Sequence, residues 1–364
     1  MKNTSRLRQL RRDPQNSARF AGLRYTSDQS PGYARIAAGK GFRYIDTSGK
    51  TIRDKSKLTR IRSLVIPPAW KKVWICPDDI GHLQAVGFDA RGRKQYRYHP
   101  SYRALRNLTK FHGLPDIVRG IELVRRRSRQ YLSLPGMPRE KVLAALIRLL
   151  DITGIRVGNE QSASENNTFG LTTLRNRHVE IDGATLVFRF TGKSGVKHEL
   201  KISDRRLAQI VRQCHDLPGQ RLFEYVDEEG EPHAVLSSDV NSYLSELSGQ
   251  ELTAKDFRTW AGTVECAIAL RDIGEFSSET QAKKNIVAAI KTAAGRLGNR
   301  AATCRTYYIH PAVTEAYLAG DLLSVMRNPP APEGHLSADE QAVLNVITRH
   351  RRALTQSTAS AICA

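Results

Sequence analysis

The chain has 364 residues, of which 40% are hydrophobic, and this length and composition predict about two globular domains with sizeable cores. Its net charge of +21 favours a polyanionic partner, of which nucleic acid is the commonest. On charge alone, a basic soluble protein without such a partner stays open as the alternative.

The cysteines and the apolar segments bear on metal binding and location. The five cysteines are scattered, without a Cys-x-x-Cys pair or a histidine at zinc spacing, so they indicate reduced structural thiols and no metal site. The basic N-terminus lacks the apolar stretch of a secretory signal, and no segment approaches the ~20 apolar residues of a membrane span. We therefore expect a cytoplasmic, nucleoid-associated protein with no membrane partner.

The first part of the chain predicts an arm and a small β-rich domain. Residues 1–20 are polar and rich in arginine, which is typical of a flexible arm. Residues 21–104 are predicted to form the β-rich domain, because short apolar or alternating runs are separated there by turn residues. These runs are residues 73–76, 82–88 and 94–98.

Helical periodicity dominates the next segment, residues 105–350. Apolar residues repeat at helical spacing over 142–150, before Gly154, and over 286–297, before Gly298. Both glycines are typical of helix C-termini. The pattern predicts two amphipathic helices that end at these glycines.

Two further elements are predicted in the second half of the chain. Alternating residues over 186–190 and 196–202 flank Gly192-Lys193-Ser194-Gly195, which predicts a β-hairpin with Lys193 in its turn. Ser337-Ala338-Asp339-Glu340 has the pattern of a capping box that opens a helix of roughly fifteen residues. Residues 351–364, rich in Ser, Thr and Ala, are predicted to be a loose tail.

Two adjacent tyrosines, Tyr307 and Tyr308, follow the helix-stop signal Leu297-Gly298-Asn299. A tyrosine in so basic a chain is a candidate nucleophile toward a phosphodiester. A phenol with an ordinary pKa of ~10 is a weak nucleophile at neutral pH, so the chemistry needs cations nearby. Arginines suit the extra negative charge of a pentacoordinate phosphate, and a lysine can protonate the leaving oxygen, without any metal.

Cations occur in three local contexts that could supply this chemistry. Arg156 lies between two glycines just after a predicted helix, although pairing with Glu160 or solvent is the alternative. Lys193 lies in the hairpin turn, where lysines are commonly just solvated. Lys255 and Arg258 lie one turn apart at a probable helix start, where the alternative is a pair of solvated charges on an exposed face.

The order and surroundings of these residues resemble the type IB DNA topoisomerases, in particular their compact bacterial and poxvirus-like branch. The resemblance spans roughly residues 24–345. Seven segments carry it: Ser63-Leu64-Val65-Ile66-Pro67-Pro68-Ala69-Trp70, Arg91-Gly92-Arg93-Lys94-Gln95-Tyr96-Arg97-Tyr98-His99-Pro100, Gly154-Ile155-Arg156-Val157-Gly158-Asn159-Glu160, Gly170-Leu171-Thr172-Thr173-Leu174, Gly192-Lys193-Ser194-Gly195, Lys255-Asp256-Phe257-Arg258-Thr259-Trp260 and Arg305-Thr306-Tyr307-Tyr308-Ile309.

The resemblance implies a role for each candidate residue. Tyr308 falls at the position of the nucleophile, and Tyr307 is then expected to pack. Arg156 and Arg258 match the arginines that bind the scissile phosphate, and Lys193 matches the lysine that protonates the leaving 5′-oxygen. Asn299 is implied to donate a hydrogen bond to a non-bridging phosphate oxygen, where viral and eukaryotic members use a histidine. Lys255 matches a further lysine near that phosphate.

The resemblance also implies contacts with duplex DNA. Gln95, Tyr96 and Tyr98 match a strand of the family's N-terminal domain that faces DNA, although aromatic residues on a small sheet are often simply its core. Two departures from the family pattern affect affinity or site preference rather than the chemistry. Ser162 stands where an aromatic residue is usual, and Arg300 where a small polar residue is usual.

The implied fold is α+β: a small β-rich N-terminal domain and a larger, mainly α-helical catalytic domain of the tyrosine recombinase/type IB topoisomerase class. The implied activity is relaxation of positive and negative supercoils by a monomer closed around duplex DNA, with no ATP and no obligatory metal. A tyrosine recombinase is the nearest alternative, but its usual His-x-x-Arg would place histidine at Lys255. A non-catalytic DNA-binding protein, with the cations as phosphate anchors, is the alternative from another class.

Overall fold

The computed structural model describes residues 10, 13–39, 41–331 and 334–363, with side chains up to residue 353. Two compact units divide the chain between Gly113 and Leu114. The first contains a small sheet and the second is mainly helical, which confirms the predicted fold class in outline. None of the described helices combines the length and the apolar character that a membrane crossing requires.

The first unit is built on one five-stranded antiparallel sheet in the order β2-β1-β3-β4-β5. Its core lies around Ile61, Val73 and Ile75. The elements in chain order are α1 (Pro14–Phe20), β1 (Tyr33–Ala38), β2 (Gly41–Ile45), α2 (Lys55–Ser63), β3 (Lys71–Ile75), β4 (Leu83–Phe88), β5 (Lys94–Tyr98) and α3 (Pro100–His112).

The prediction of a flexible arm is wrong for residues 13–20. The Asp13 carboxylate accepts the main-chain N–H groups of Gln15 and Asn16, at 2.9 and 3.0 Å, and caps helix α1. Residues 1–9, 11 and 12 of the predicted arm lie outside the described residues.

A small apolar cluster explains where the first unit ends. Ala18 and Leu23 are buried against Tyr102 of helix α3. This helix therefore packs with the β-rich part, and the division falls after residue 113 rather than after 104.

The second unit packs its helices around one extended hydrophobic core and carries the sheet β6-β7-β8. Its elements are α4 (Leu114–Tyr131), α5 (Arg139–Thr153), α6 (Glu160–Asn166), β6 (Val179–Asp182), β7 (Thr185–Thr191), β8 (Lys197–Ser203), α7 (Arg205–His215), β9 (Glu224–Val226), β10 (Pro232–Ala234), α8 (Ser237–Ser248), α9 (Ala254–Ile273), α10 (Glu279–Leu297), α11 (Ala301–Tyr307), α12 (Pro311–Leu318), α13 (Asp321–Arg327) and α14 (Ala338–Cys363).

Both predicted helix C-termini are confirmed. Gly154 ends α5 and Gly298 ends α10, each in the left-handed conformation with φ of 62° and 58°. The predicted hairpin is also confirmed as β7 and β8, joined by the short turn Lys193–Gly195. These three chain reversals place Arg156, Asn299 and Lys193, respectively.

The C-terminal helix begins as predicted but is longer. Ser337 N–H donates to the Glu340 carboxylate at 2.9 Å, and Glu340 N–H donates to the Ser337 hydroxyl at 3.2 Å, which completes the capping box. The helix then continues to Cys363, because residues 351–363 contain neither glycine nor proline to end it. The prediction of roughly fifteen helical residues and a loose tail is wrong for this segment.

A buried ionic network ties this helix to α4, α5 and α9. The Arg125 guanidinium contacts Asp151 at 2.7 Å and Glu340 at 2.8 Å, and Trp260 Nε1–H donates to Glu340 at 2.7 Å. Burial favours a higher pKa for the Glu340 carboxyl, but Arg125, together with the hydrogen bonds from Ser337 and Trp260, lowers that pKa. The network fixes helix α9, which carries Arg258, within the core of the second unit.

Candidate active site

Arg258 is the most deeply buried candidate, with 3% of its surface exposed on helix α9. Its Nη1 donates to the carbonyl oxygen of Gly154, and its Nη2 donates to that of Leu297 at 3.0 Å. These carbonyls lie at the C-termini of α5 and α10, so the guanidinium joins three helices. The suggestion that Arg258 lies on an exposed face is wrong.

Arg156 lies beside the same helix ends. Its Nη1 donates to the carbonyl of Gly298 at 3.1 Å, and its Nη2 donates to the side-chain oxygen of Asn299. Glu160 pairs instead with Arg221 at 2.9 Å, so the local alternative of an Arg156–Glu160 pair is wrong. The structure thus brings Arg156 and Asn299 together.

Two hydrogen-bond donors at this place are not used. Within the described part of the chain, Arg258 Nε and Asn299 Nδ2 are buried and have no hydrogen-bond partner. An unpaired buried donor costs about 1–3 kcal/mol of desolvation, so an acceptor that reached both would be favoured. The two donors are suited to the oxygens of an anion.

Tyr308 lies directly after helix α11, with its N–H donating to the carbonyl of Cys304 at 2.8 Å. Its ring is half-buried, and the guanidinium carbon of Arg258 lies 5.3 Å from the ring centroid. Tyr307, in contrast, is 39% exposed, and its packing role stays a prediction. The contact with Arg258 places the Tyr308 ring beside helix α9.

The electrostatics of the arginine pair also favour an anion. Burial lowers the pKa of the Arg258 guanidinium, and the positive charge of Arg156 lowers that pKa further. Burial likewise lowers the pKa of Arg156. Because an arginine stays charged at neutral pH, the site holds two desolvated cations, whose hydrogen bonds to described residues go to main-chain carbonyls and the Asn299 amide oxygen rather than to a carboxylate.

His198 is a further residue of the site that the sequence interpretation did not assign. It lies on β8, stacks on Phe190 with ring centroids 4.8 Å apart, and lies so close to Gly298 that a β-carbon there would overlap its ring. Burial, and then the charges of Arg156 and Arg258, lower the pKa of His198. The signal that could have identified His198 was its position among the alternating residues of the predicted strand 196–202.

The two lysines approach the site without contacting it. Lys193 is exposed in the hairpin turn, and among the described residues its ammonium has no hydrogen bond or ion pair. The preceding Gly192 lies against His198, which connects this turn to the Gly298 end of α10. Lys255 is exposed on the first turn of α9, one turn before Arg258.

The aromatic candidates of the first unit are on the surface. Tyr96 and Tyr98 are 45% and 38% exposed, with rings stacked at a centroid distance of 6.0 Å, so the alternative that they form the sheet core is wrong. The Gln95 amide donates to the Asp89 carboxylate at 3.0 Å. A DNA contact by Gln95 would therefore compete with this bond.

The two departures from the family pattern have ordinary structural places. Ser162 N–H donates to the Asn159 side chain at 3.0 Å at the start of α6. Arg300 is the exposed residue that precedes α11. For metals, no cluster of three or more His, Cys, Asp or Glu side chains occurs in residues 10, 13–39, 41–331 and 334–353.

Comparison with known proteins assigns the chain to a family. Residues 99–319 match the model of the eukaryotic DNA topoisomerase I catalytic core, and residues 41–89 match that of the bacterial DNA topoisomerase IB N-terminal domain. DNA topoisomerase 1B of Acanthamoeba polyphaga mimivirus is 30% identical over 295 residues, which cover 79% of this chain and 87% of the relative. The chain belongs to the type IB DNA topoisomerases.

More distant type IB relatives match shorter segments. DNA topoisomerase 1B of vaccinia virus (strain Copenhagen) is 26% identical over 162 residues, or 44% of this chain and 51% of the relative. DNA topoisomerase 1 of Daucus carota is 27% identical over 159 residues, or 43% of this chain and 18% of the relative. Family membership identifies the chain as an isomerase that changes DNA topology.

The two matched ranges include the candidate catalytic residues but not the candidate DNA-contact residues of strand β5. Arg156, Lys193, Arg258, Asn299 and Tyr308 all fall within the range that matches the catalytic core. In contrast, residues 95–98 lie between the two matched ranges. The DNA contacts proposed for that strand therefore rest on its exposed aromatic side chains and on its motif.

Proposed function

We propose that the chain relaxes positive and negative supercoils by cutting and rejoining one strand of duplex DNA. The Tyr308 hydroxyl gives its proton to solvent and attacks the scissile phosphorus, forming a tyrosyl O–P bond while the bond to the 5′-oxygen breaks. The freed 5′-oxygen takes up a proton and the duplex rotates. The 5′-hydroxyl then loses its proton and attacks the 3′-phosphotyrosine, which breaks the tyrosyl O–P bond, reseals the strand and leaves Tyr308 to take a proton back. Helices α4 to α14 would constitute the catalytic domain of the tyrosine recombinase/type IB topoisomerase class.

The observation that carries this proposal is the pair of unused buried donors, Arg258 Nε and Asn299 Nδ2, with the Arg258 guanidinium 5.3 Å from the centroid of the Tyr308 ring. Non-bridging phosphate oxygens supply the acceptors that these donors lack. Because these donors are already held in place, they can stabilise the negative charge that develops in the transition state without a rearrangement of the protein. The Asn299 amide would donate its bond without a charge at any pH.

The two arginines would act by charge as well as by hydrogen bonding. A phosphodiester between Arg156 and Arg258 would neutralise part of the repulsion that lowers the pKa of Arg258. The pentacoordinate state carries more negative charge than the substrate, so the pair would favour it over bound DNA. Because the arginines would bind the pentacoordinate state more strongly than the DNA substrate, they would raise the cleavage rate and not only the affinity for DNA.

Lys193 is proposed to protonate the leaving 5′-oxygen. Its exposed place in the turn leaves the ammonium available to bound DNA. Lys193→Ala is expected to slow cleavage by about 10²-fold or more on ordinary DNA, since general acid catalysis commonly contributes 10²–10⁴-fold. DNA with sulfur in place of the leaving 5′-oxygen needs no proton donor, so we expect it to restore the single-turnover cleavage rate of the variant.

A lysine elsewhere in the same hairpin provides the control. Lys197→Ala removes an exposed charge from the start of β8 and is expected to cleave both substrates at the unmodified rate. Failure of the sulfur substrate to restore Lys193→Ala would exclude the general-acid role.

The basic surface is proposed to hold duplex DNA during rotation, with the chain acting as a monomer. Lys255 would contact backbone near the scissile phosphate, and Gln95, Tyr96 and Tyr98 would contact DNA from the first unit. Binding by phosphate contacts weakens with salt, with a logarithmic slope of about −0.9 per contact. Because the chain is strongly basic, we also propose that it acts on the DNA of the chromosomal nucleoid in the cytoplasm.

The overall activity is tested by relaxation of positively and negatively supercoiled plasmids without ATP and in excess EDTA. We expect a ladder of topoisomers from both substrates, because the phosphotyrosine bond conserves the energy needed to reseal the strand. Activity confined to specific paired sites would indicate a recombinase. An unchanged linking number despite DNA binding would indicate a non-catalytic binding protein.

A further inference from the structure

The helix that carries Arg258 also contacts the main chain of Tyr308. Gly262, four residues after Arg258, is buried, and a β-carbon there would lie 2.9 Å from the Tyr308 carbonyl oxygen and 3.3 Å from its β-carbon. Residues four apart lie on the same side of a helix. Glycine at this position therefore permits the Tyr308 backbone to lie directly against the helix that holds the arginine.

Thr263, the next residue, is fully buried and binds this backbone on both sides of Ile309. Its hydroxyl oxygen lies 3.2 Å from the Tyr308 carbonyl oxygen, as a donor, and accepts the N–H of His310 at 3.1 Å. The same hydroxyl lies 2.7 Å from the Thr259 carbonyl. Since a hydroxyl has one proton, the two carbonyls share it.

The bond to Thr259 is ordinary for threonine within a helix, whereas the bonds to Tyr308 and His310 are tertiary. They join residues 45 and 47 positions apart in the chain. Because the side chain of Arg258 is itself bonded to Gly154 and Leu297, one helix fixes both the arginine and the tyrosine backbone.

We propose that Thr263 is a positioning residue, which, with Gly262, holds Tyr308 in line with the phosphate bound at Arg258. This inference rests on the proposed role of Tyr308 as the nucleophile. In-line attack requires close alignment of the reacting atoms, and a displacement of about 1 Å can cost ~10²-fold in rate. Loss of the Thr263 hydroxyl would release both bonds that hold residues 308–310.

The test compares Thr263→Val and Thr263→Ser in the full-length chain. Valine keeps the shape but removes the hydroxyl, so single-turnover cleavage is expected to slow by about 10- to 100-fold. Serine keeps the hydroxyl and is expected to cleave within about threefold of the unmodified rate. The dissociation constant for duplex DNA, measured in chains that also carry Tyr308→Phe, is expected to be the same in all variants.

A second threonine provides the matched control. Thr292 lies within α10, and its hydroxyl donates to the Ala288 carbonyl at 3.3 Å. Thr292→Val removes a similar helical hydroxyl bond and is expected to leave cleavage unchanged. Thermal melting checks that each variant is folded before its rate is interpreted.

Gly262→Ala tests the same contact if Thr263→Val does not fold. The added methyl group would lie 2.9 Å from both the Tyr308 carbonyl oxygen and Leu297 Cδ1, so it has to displace the Tyr308 backbone as well as the Leu297 side chain. We therefore expect slower cleavage with unchanged DNA affinity. Unmodified cleavage by folded Thr263→Val or by Gly262→Ala would overturn the inference, as would equal loss of rate in Thr263→Ser. Absence of any Tyr308 adduct in the unsubstituted chain would instead overturn the proposed function.

Discussion

Tyr308→Phe is expected to abolish both supercoil relaxation and the covalent DNA adduct, whereas Tyr307→Phe keeps most of each. Phenylalanine preserves the half-buried ring beside Arg258 but has no hydroxyl to attack phosphorus. Tyr307 is 39% exposed on the last turn of α11. The two substitutions therefore test which of the adjacent phenols is the nucleophile.

Denaturant trapping of labelled duplex DNA measures the adduct, and plasmid relaxation measures turnover. Tyr307→Phe is itself the matched control, since it removes the same atom one residue away. The opposite outcome, with an adduct in Tyr308→Phe and none in Tyr307→Phe, would contradict the assignment of the nucleophile.

Arg258→Ala and Arg156→Ala are each expected to slow single-turnover cleavage by about 10²-fold or more, the usual effect of removing one preorganised transition-state donor. Arg258→Lys is expected to restore little of this rate. Lysine keeps a positive charge but lacks the planar guanidinium. In arginine, Nη1 and Nη2 bond the carbonyls of Gly154 and Leu297, and Nε stays available as a third donor.

A charge-matched control separates this effect from general electrostatics. Arg212→Ala removes one exposed positive charge from helix α7 and is expected to cleave at the unmodified rate. Arg258→Ala also leaves two carbonyls without their donor, so the rate is compared at a temperature where melting shows the variant folded. A rate close to that of the unsubstituted chain would show that Arg258 does not stabilise the transition state.

Local signals in the sequence predicted the elements that position the site. The glycines at 154 and 298 ended their helices as expected, and strict alternation placed the hairpin that carries Lys193. Strands β1 and β2 were not predicted, because most of their residues are partly or fully exposed and give no clear alternation. Helix α1 was missed because its Asp13 cap lies within an arginine-rich segment.

The contacts of the site depend on residues far apart in the chain. Sequence could not show that Arg258 reaches Gly154 or that Arg156 reaches Asn299, since these pairs are 104 and 143 positions apart. His198 and Thr263 were not assigned for the same reason. Local sequence left an Arg156–Glu160 pair and an exposed Arg258 open as alternatives, and the Glu160–Arg221 ion pair and the burial of Arg258 exclude both.

The most direct test of the central claim is to identify the peptide and the DNA end joined in the trapped adduct. Proteolysis and mass measurement locate the modified residue, while sequencing of the attached strand locates the cut. We predict a single linkage between Tyr308 and a 3′-phosphate, with a free 5′-hydroxyl on the other strand end. Linkage through Tyr307, through another residue or to a 5′-phosphate would contradict the proposed mechanism.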